Sequence, residues 1–86
     1  MTMIARVYVG LKPGVLDPQG RTIAASLNDL GFNEVEDATQ GKVIELKLAD
    51  GDRDATETRV KEMCEKLLAN TVIESYRIEI DEPEED

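Results

Sequence analysis

Lys12-Pro13-Gly14-Val15-Leu16-Asp17-Pro18-Gln19-Gly20 joins a stretch that alternates with period two to a stretch with helical period. Pro13-Gly14 suits a type II turn, because proline presets φ and glycine accepts φ > 0. Asp17 suits an N-cap, its carboxylate accepting from the free N–H groups of a first helical turn. Pro18 then falls at the first helical position, where a missing N–H is harmless. The middle of the loop is less ordinary, because Val15 and Leu16 are apolar. The usual staple partner for Leu16 would be an apolar side chain at the fourth helical position, and Arg21 stands there. Leu16 is therefore expected in the domain core or against another chain.

Upstream, Ala5, Val7, Val9 and Leu11 share one face of a strand over Ile4 to Leu11, and Ile4, Arg6, Tyr8 and Gly10 share the other. Downstream, Ile23, Leu27 and Leu30 form the stripe of a helix over Pro18 to Leu30, with Gly31 as its stop. A weak strand is expected over Asn33 to Ala38, with a hairpin turn at Gln40-Gly41. Ile44, Leu46 and Leu48 alternate in the next strand. Asp54 and Glu57 fit an N-cap and capping box. Val60, Met63, Cys64, Leu67 and Leu68 then form one apolar stripe ending near Asn70. The last strand spans Val72 to Ile80, with Tyr76, Ile78 and Ile80 on one face. The order β-α-β-β-α-β predicts an α+β, ferredoxin-like fold: a four-stranded antiparallel sheet with two helices on one face. The other face carries Ile4, Tyr8, Val43 and Ile73 among charged residues, and these four are the expected self-association surface.

Eighty-six residues make one small domain, expected over 1–80. Tyr8, Tyr76 and Phe32 are the only aromatic residues, and a thin Val, Ile and Leu core at this length favours a homodimer or higher homo-oligomer. The net charge is −9, of which Asp81, Glu82, Glu84, Glu85 and Asp86 contribute five charges, leaving −4 on the rest. Residues 81–86 read as an acidic disordered tail. An acidic domain lacks the basic footprint of a nucleic-acid binder. No apolar run approaches a membrane span, and Met1 to Arg6 lacks a signal-peptide pattern. A single cysteine, Cys64, excludes an internal disulfide and suits a reducing compartment, so a cytoplasmic location is expected.

No catalytic constellation is visible. Histidine, the commonest proton shuttle at neutral pH, is absent. Cys64 lies on the apolar stripe and reads as a core thiol. Asp50, Asp52 and Asp54 mimic the start of a calcium loop, but Ala55 replaces its turn glycine and Lys61 its bidentate glutamate, so no metal is expected. Gly14 to Thr22 is one residue too long for a P-loop, has arginine where lysine is needed, and puts Asp17 where a phosphate would sit. An RNA-recognition sheet would need stacking aromatics on its central strands, where only Tyr8 qualifies. A metal chaperone of this topology would need Cys-x-x-Cys.

Three strings carry a resemblance. Lys12 to Gly20 resembles the signature loop of the PurS subunit of phosphoribosylformylglycinamidine synthase. Glu62-Met63-Cys64-Glu65-Lys66-Leu67-Leu68-Ala69-Asn70-Thr71-Val72-Ile73-Glu74-Ser75-Tyr76 is similar to that family's second signature, and Gly41-Lys42-Val43-Ile44-Glu45-Leu46 to its hairpin segment. The likeness spans Ile4 to Ile80. Two departures stand out. Thr39 and Gln40 occupy the place where members often carry arginine, and Thr71 a place where many have proline.

The resemblance implies a role in purine biosynthesis, in a complex that makes formylglycinamidine ribonucleotide from formylglycinamide ribonucleotide, ATP and glutamine. A glutaminase (PurQ-type) subunit releases ammonia. A synthase (PurL-type) subunit uses ATP and Mg to activate the amide oxygen as a phosphate ester, and ammonia displaces phosphate. The small subunit would bridge the two, binding no cofactor and holding no catalytic residue. Val15, Leu16, Asp17, Pro18, Gln19 and Gly20 are its expected partner contact, although a loop of this kind could serve only to position the first helix. A second reading is a regulatory small-ligand module, similar to ACT domains, with its ligand in the loop after the first strand.

Overall fold

Alternating side chains over Thr2–Leu11 form β1, the central strand of a three-stranded antiparallel sheet in the computed structural model, which describes residues 2–49 and 51–81. The other elements are α1 (Pro18–Asp29), β2 (Lys42–Ala49), α2 (Arg53–Met63) and β3 (Glu74–Asp81). The sheet order is β2-β1-β3, with Val7 opposite Ile44 on one side and Ile78 on the other. That register sends Met3, Ala5, Val7 and Val9 to one face, where they are buried with Ile80, Val60, Cys64 and Ala69. Ile44, Leu46, Leu48, Tyr76 and Ile78 pack partly against them. The α+β class is as expected. Asp81 ends β3 opposite Ile4 and does not begin a tail, while 82–86 lie outside the described residues.

The fourth strand and the second helix on the sheet are not found. Asn33–Ala38 is irregular, and its composition explains why. Asn, Glu and Asp have low strand propensity, and side chains satisfy backbone groups that a ladder would use. The Asn28 side-chain amide donates to the Val35 carbonyl at 3.0 Å. The Ala38 N–H donates to its neighbour Asp37 at 2.9 Å, and the Gln40 N–H to Asp17 at 2.8 Å. No hairpin turn forms at Gln40-Gly41, because the strand it would join is missing. Residues 31–41 instead return alongside α1 to the start of β2. α1 is not laid on the sheet, and its only buried residue is Gly20. The radius of gyration is 16.7 Å, where a compact chain of this length would have about 12 Å.

Local signals fared better. Val15 N–H donates to the Lys12 carbonyl at 3.1 Å across Pro13-Gly14, and Gly14 has φ 87°. Gly31, at φ 102°, ends α1 in a Schellman arrangement: the Phe32 N–H reaches the Leu27 carbonyl at 2.9 Å and the Gly31 N–H the Asn28 carbonyl at 3.0 Å. α2 starts earlier than expected. Its cap is Asp52, which accepts from the Ala55 N–H at 3.0 Å, and Asp54 sits in the first turn, where a negative charge favours the helix dipole. After Met63 the helix widens into one π turn over Cys64–Leu68, closed by Ala69 N–H to the Cys64 carbonyl at 3.1 Å. The wider turn brings Leu68 and Ala69 inward and leaves Leu67 83% exposed, so the expected stripe is broken at Leu67. Asn70 follows the helix as a turn residue, its carbonyl accepting from Ile73 and Glu74.

Candidate functional site

The loop Val15–Gly20 is fixed at both ends. At its start lies the Pro13-Gly14 turn, and the Lys12 N–H donates to the Ile73 carbonyl at 2.8 Å. At its finish the Asp17 carboxylate makes two bonds. One oxygen accepts from the Gly20 N–H at 2.8 Å and caps α1; the other accepts from the Gln40 N–H at 2.8 Å and ties the return segment to the loop. Gly20 lies so close to that segment that a Cβ there would sit 2.1 Å from the Ala38 carbonyl oxygen. Asp17 therefore does more than cap a helix.

These bonds hold the Asp17 carboxyl below its ordinary value of 3.8, the Gln40 N–H contributing most and the Gly20 N–H next. A depressed folded value means the charged form supports the fold above the unfolded value, and this support is lost as pH falls through the lower folded value. Asp17→Ala is therefore expected to lower Tm by several degrees at neutral pH and to weaken the acid dependence of stability below pH 4. An unchanged acid limb would remove the clamp from this account.

Between the loop and the return segment lies an open cleft of about 520 Å³, with Val15, Leu16 and Arg21 on one side and Asp37, Ala38 and Thr39 on the other. Leu16 is 62% exposed at this cleft, so it is not in the core. Val15 and Asp17 are half-buried, Pro18 and Gln19 exposed and Gly20 buried. Thr39 stands on the cleft wall. The role of Ala38 and Thr39 was missed from sequence, because no local pattern announces a contact between a helix glycine and a segment some twenty residues on.

Ile4, Tyr8 and Val43 share the outer sheet face, but Ile73 lies in the turn before β3 and not on that face. The face is laced with charge. Arg6 pairs with Glu45 at 3.3 Å and with Asp81, Arg77 pairs with Glu79 and stacks 4.2 Å over the Tyr8 ring, and the Tyr8 hydroxyl donates to Glu79 at 3.1 Å. That bond to Glu79, more than any other cause, raises the Tyr8 pKa. Val43, beside this network on the same face, is 58% exposed.

Cys64 is fully buried, and burial pushes its thiol up, away from the reactive thiolate. The Tyr76 hydroxyl donates to Glu65 at 2.7 Å, which pushes the phenol up to about 12 and ties β3 to the π turn. Among the described residues no group of His, Cys, Asp and Glu could hold a metal ion; Asp50 of the calcium-like string lies outside them. Among the described residues no helix is long and apolar enough to cross a membrane.

Fold and site together define a small α+β domain that carries several exposed large apolar side chains, Leu16 among them. This chain belongs to the PurS family: the family model described as PurS, phosphoribosylformylglycinamidine (FGAM) synthase, matches residues 4–82. It is 54% identical over 77 residues to phosphoribosylformylglycinamidine synthase subunit PurS of Bacillus subtilis, covering 90% of each chain. The crystal structure of Methanocaldococcus jannaschii PurS, one of the subunits of formylglycinamide ribonucleotide amidotransferase, superposes with a TM-score of 0.87 at 43% identity, covering 95% of this chain and 99% of that one. A chain in the structure of PurLQS from Thermotoga maritima superposes with a TM-score of 0.85 at 28% identity, covering 94% of this chain and 99% of its own length.

Proposed function

We propose that this chain works by docking, as a non-catalytic, self-associating bridge between the synthase (PurL-type) and glutaminase (PurQ-type) subunits of phosphoribosylformylglycinamidine synthase. Family membership makes it a PurS subunit of that synthase, acting in purine biosynthesis, and displaces the ACT-like reading. Leu16 carries the docking reading: a large apolar side chain, 62% exposed, on a loop held in one shape by Asp17 and the Pro13-Gly14 turn. A rigid loop with a protruding leucine loses little conformational freedom on binding. Of Val15, Leu16, Asp17, Pro18, Gln19 and Gly20, the first five form this contact, the leucine as anchor, with Asp17 and the buried Gly20 as its brace.

Ammonia must pass between subunits unprotonated and out of water, and fixed register between two catalytic partners shortens and seals its path. The small subunit supplies that register. It brings no nucleophile of its own, since its thiol is buried. ATP and Mg act on the synthase. Reconstitution tests this. With synthase, glutaminase and this chain mixed, glutamine-dependent amidine formation is expected to be fast, and to fall to background when this chain is left out, while ammonia-dependent formation by the synthase persists. Full glutamine-dependent activity of the other two alone would overturn the proposal.

A further inference from the structure

β1 ends where β2 and β3 begin, so the loop leaving β1, the segment entering β2 and the turn entering β3 meet at one end of the sheet. Neighbouring strands lie about 4.8 Å apart, so the three connections share a width of about 10 Å. The β1 loop carries Leu16, and on the β3 side the turn 70–74 carries Val72, which is 81% exposed. That turn is as firmly made as the loop. The Asn70 carbonyl accepts from the Ile73 and Glu74 N–H groups at 3.0 and 2.7 Å. The Asn70 side chain accepts from the Val72 N–H at 3.2 Å, and the Glu74 carboxylate from the Asn70 N–H at 2.7 Å. The bond from the Lys12 N–H to the Ile73 carbonyl ties turn to loop. A side chain branched at Cβ has few rotamers to lose. Val72 is therefore a stiff apolar knob on a braced turn, with the exposed Ile73 beside it.

The charges at this end are sorted. Three carboxylates there are engaged with their own backbone: Asp17 with the Gly20 and Gln40 N–H groups, Asp37 with that of Ala38 and Glu74 with that of Asn70. The cations are not. Lys12, Arg21 and Lys42 are exposed, and among the described residues none of them has an ion-pair partner. The opposite end of the sheet is acidic, with Asp52 and Asp54 at the start of α2 and Asp81 at the finish of β3. In a chain of net charge −9, the end that bears Leu16 and Val72 is the one that draws an acidic surface.

We propose that this end of the sheet is one docking platform, with Leu16 and Val72 as its two anchors and Lys12, Arg21 and Lys42 as its rim, and that it fits an apolar recess edged by carboxylates on a catalytic subunit. This rests on the reading of the chain as a docking subunit, and it names the chemistry of the surface the chain meets. A desolvated apolar centre supplies affinity, and opposite charges around it speed encounter and fix orientation. Fixed orientation is what a part that supplies register needs.

Reconstituted glutamine-dependent amidine formation tests it, read as the concentration of this chain that gives half the full rate. Val72→Glu is expected to raise that concentration about 30-fold, and Val72→Ala, which leaves the bonds of the turn intact, about 5-fold. Lys12→Glu and Arg21→Glu are each expected to raise it about 10-fold. Lys47→Glu, the same charge change on an exposed lysine towards the other end of β2, is expected to leave it unchanged. All these positions are exposed, and circular dichroism checks that each variant folds. Raising salt from about 0.1 M to about 1 M shortens the screening length from about 10 Å to about 3 Å. That should raise the wild-type concentration, and hardly change that of a Lys12→Gln, Arg21→Gln double variant. Val72→Glu at the wild-type concentration, Lys47→Glu as harmful as Lys12→Glu, or indifference of the wild type to salt would overturn the platform alone. Full activity with this chain left out would overturn the bridging role and the platform together.

Discussion

Gly20→Ala is expected to destabilise the chain, although alanine is the better helix former. In an exposed helix the exchange would gain about 1 kcal/mol. Here the new methyl group would sit 2.1 Å from the Ala38 carbonyl oxygen, 2.9 Å from the Ala38 carbonyl carbon and 2.9 Å from an Asp17 oxygen. Two of those three atoms are backbone and cannot turn away. Relieving the overlap means prising α1 from the return segment, a strain of about 3 kcal/mol. Strain exceeds propensity, so a net loss of about 2 kcal/mol is expected in urea titration. The Asp17–Gln40 bond spans the same gap and should weaken with it. A stabilised Gly20→Ala variant would mean that α1 and the return segment are not apposed as described.

Leu16→Asp carries the largest functional effect. Its side chain is 62% exposed and caps nothing, so Tm should hardly move. If Leu16 anchors the docking loop, placing a carboxylate there desolvates a charge in an apolar pocket of the partner and removes a central contact of about 2–3 kcal/mol, which lowers affinity about 30- to 150-fold. Glutamine-dependent amidine formation should fall accordingly at limiting concentrations of this chain. Ammonia-dependent formation should not change. Loss of both activities together would point to damage in the synthase, and loss of neither would remove Leu16 from the interface.

Short-range physics was readable from the residues alone. The Pro13-Gly14 turn, the Asp17 cap with Pro18, and the Gly31 stop each act within a few positions of themselves, and each does in the fold what its side chain or φ preference dictates. The alternation of β1 likewise told which side chains go inside. Errors arose where distant groups compete. Asn33–Ala38 contains Val35 and could be aligned as an edge strand, but the side chains of Asn28 and Asp37 take its backbone groups first. Leu67 continued a helical stripe on paper, and one π turn moved it outward. Asp52 won the cap of α2 over Asp54 because either aspartate could start that helix. Of the candidate site, Leu16 and Asp17 were legible as an odd loop residue and a cap. The wall formed by Ala38 and Thr39 was not, since it exists only once the chain has doubled back.

The side-chain clamps on the return segment have a dynamic consequence. Residues 18–40 are held to one another by Asp17, Asn28 and the Gly20–Ala38 approach, and α1 shares little with the central ladder. Such a region opens as a cooperative unit with its own, lower free energy, while β1, β2 and β3 stay paired. Amide exchange is therefore expected to be faster over residues 18–40 than over β1.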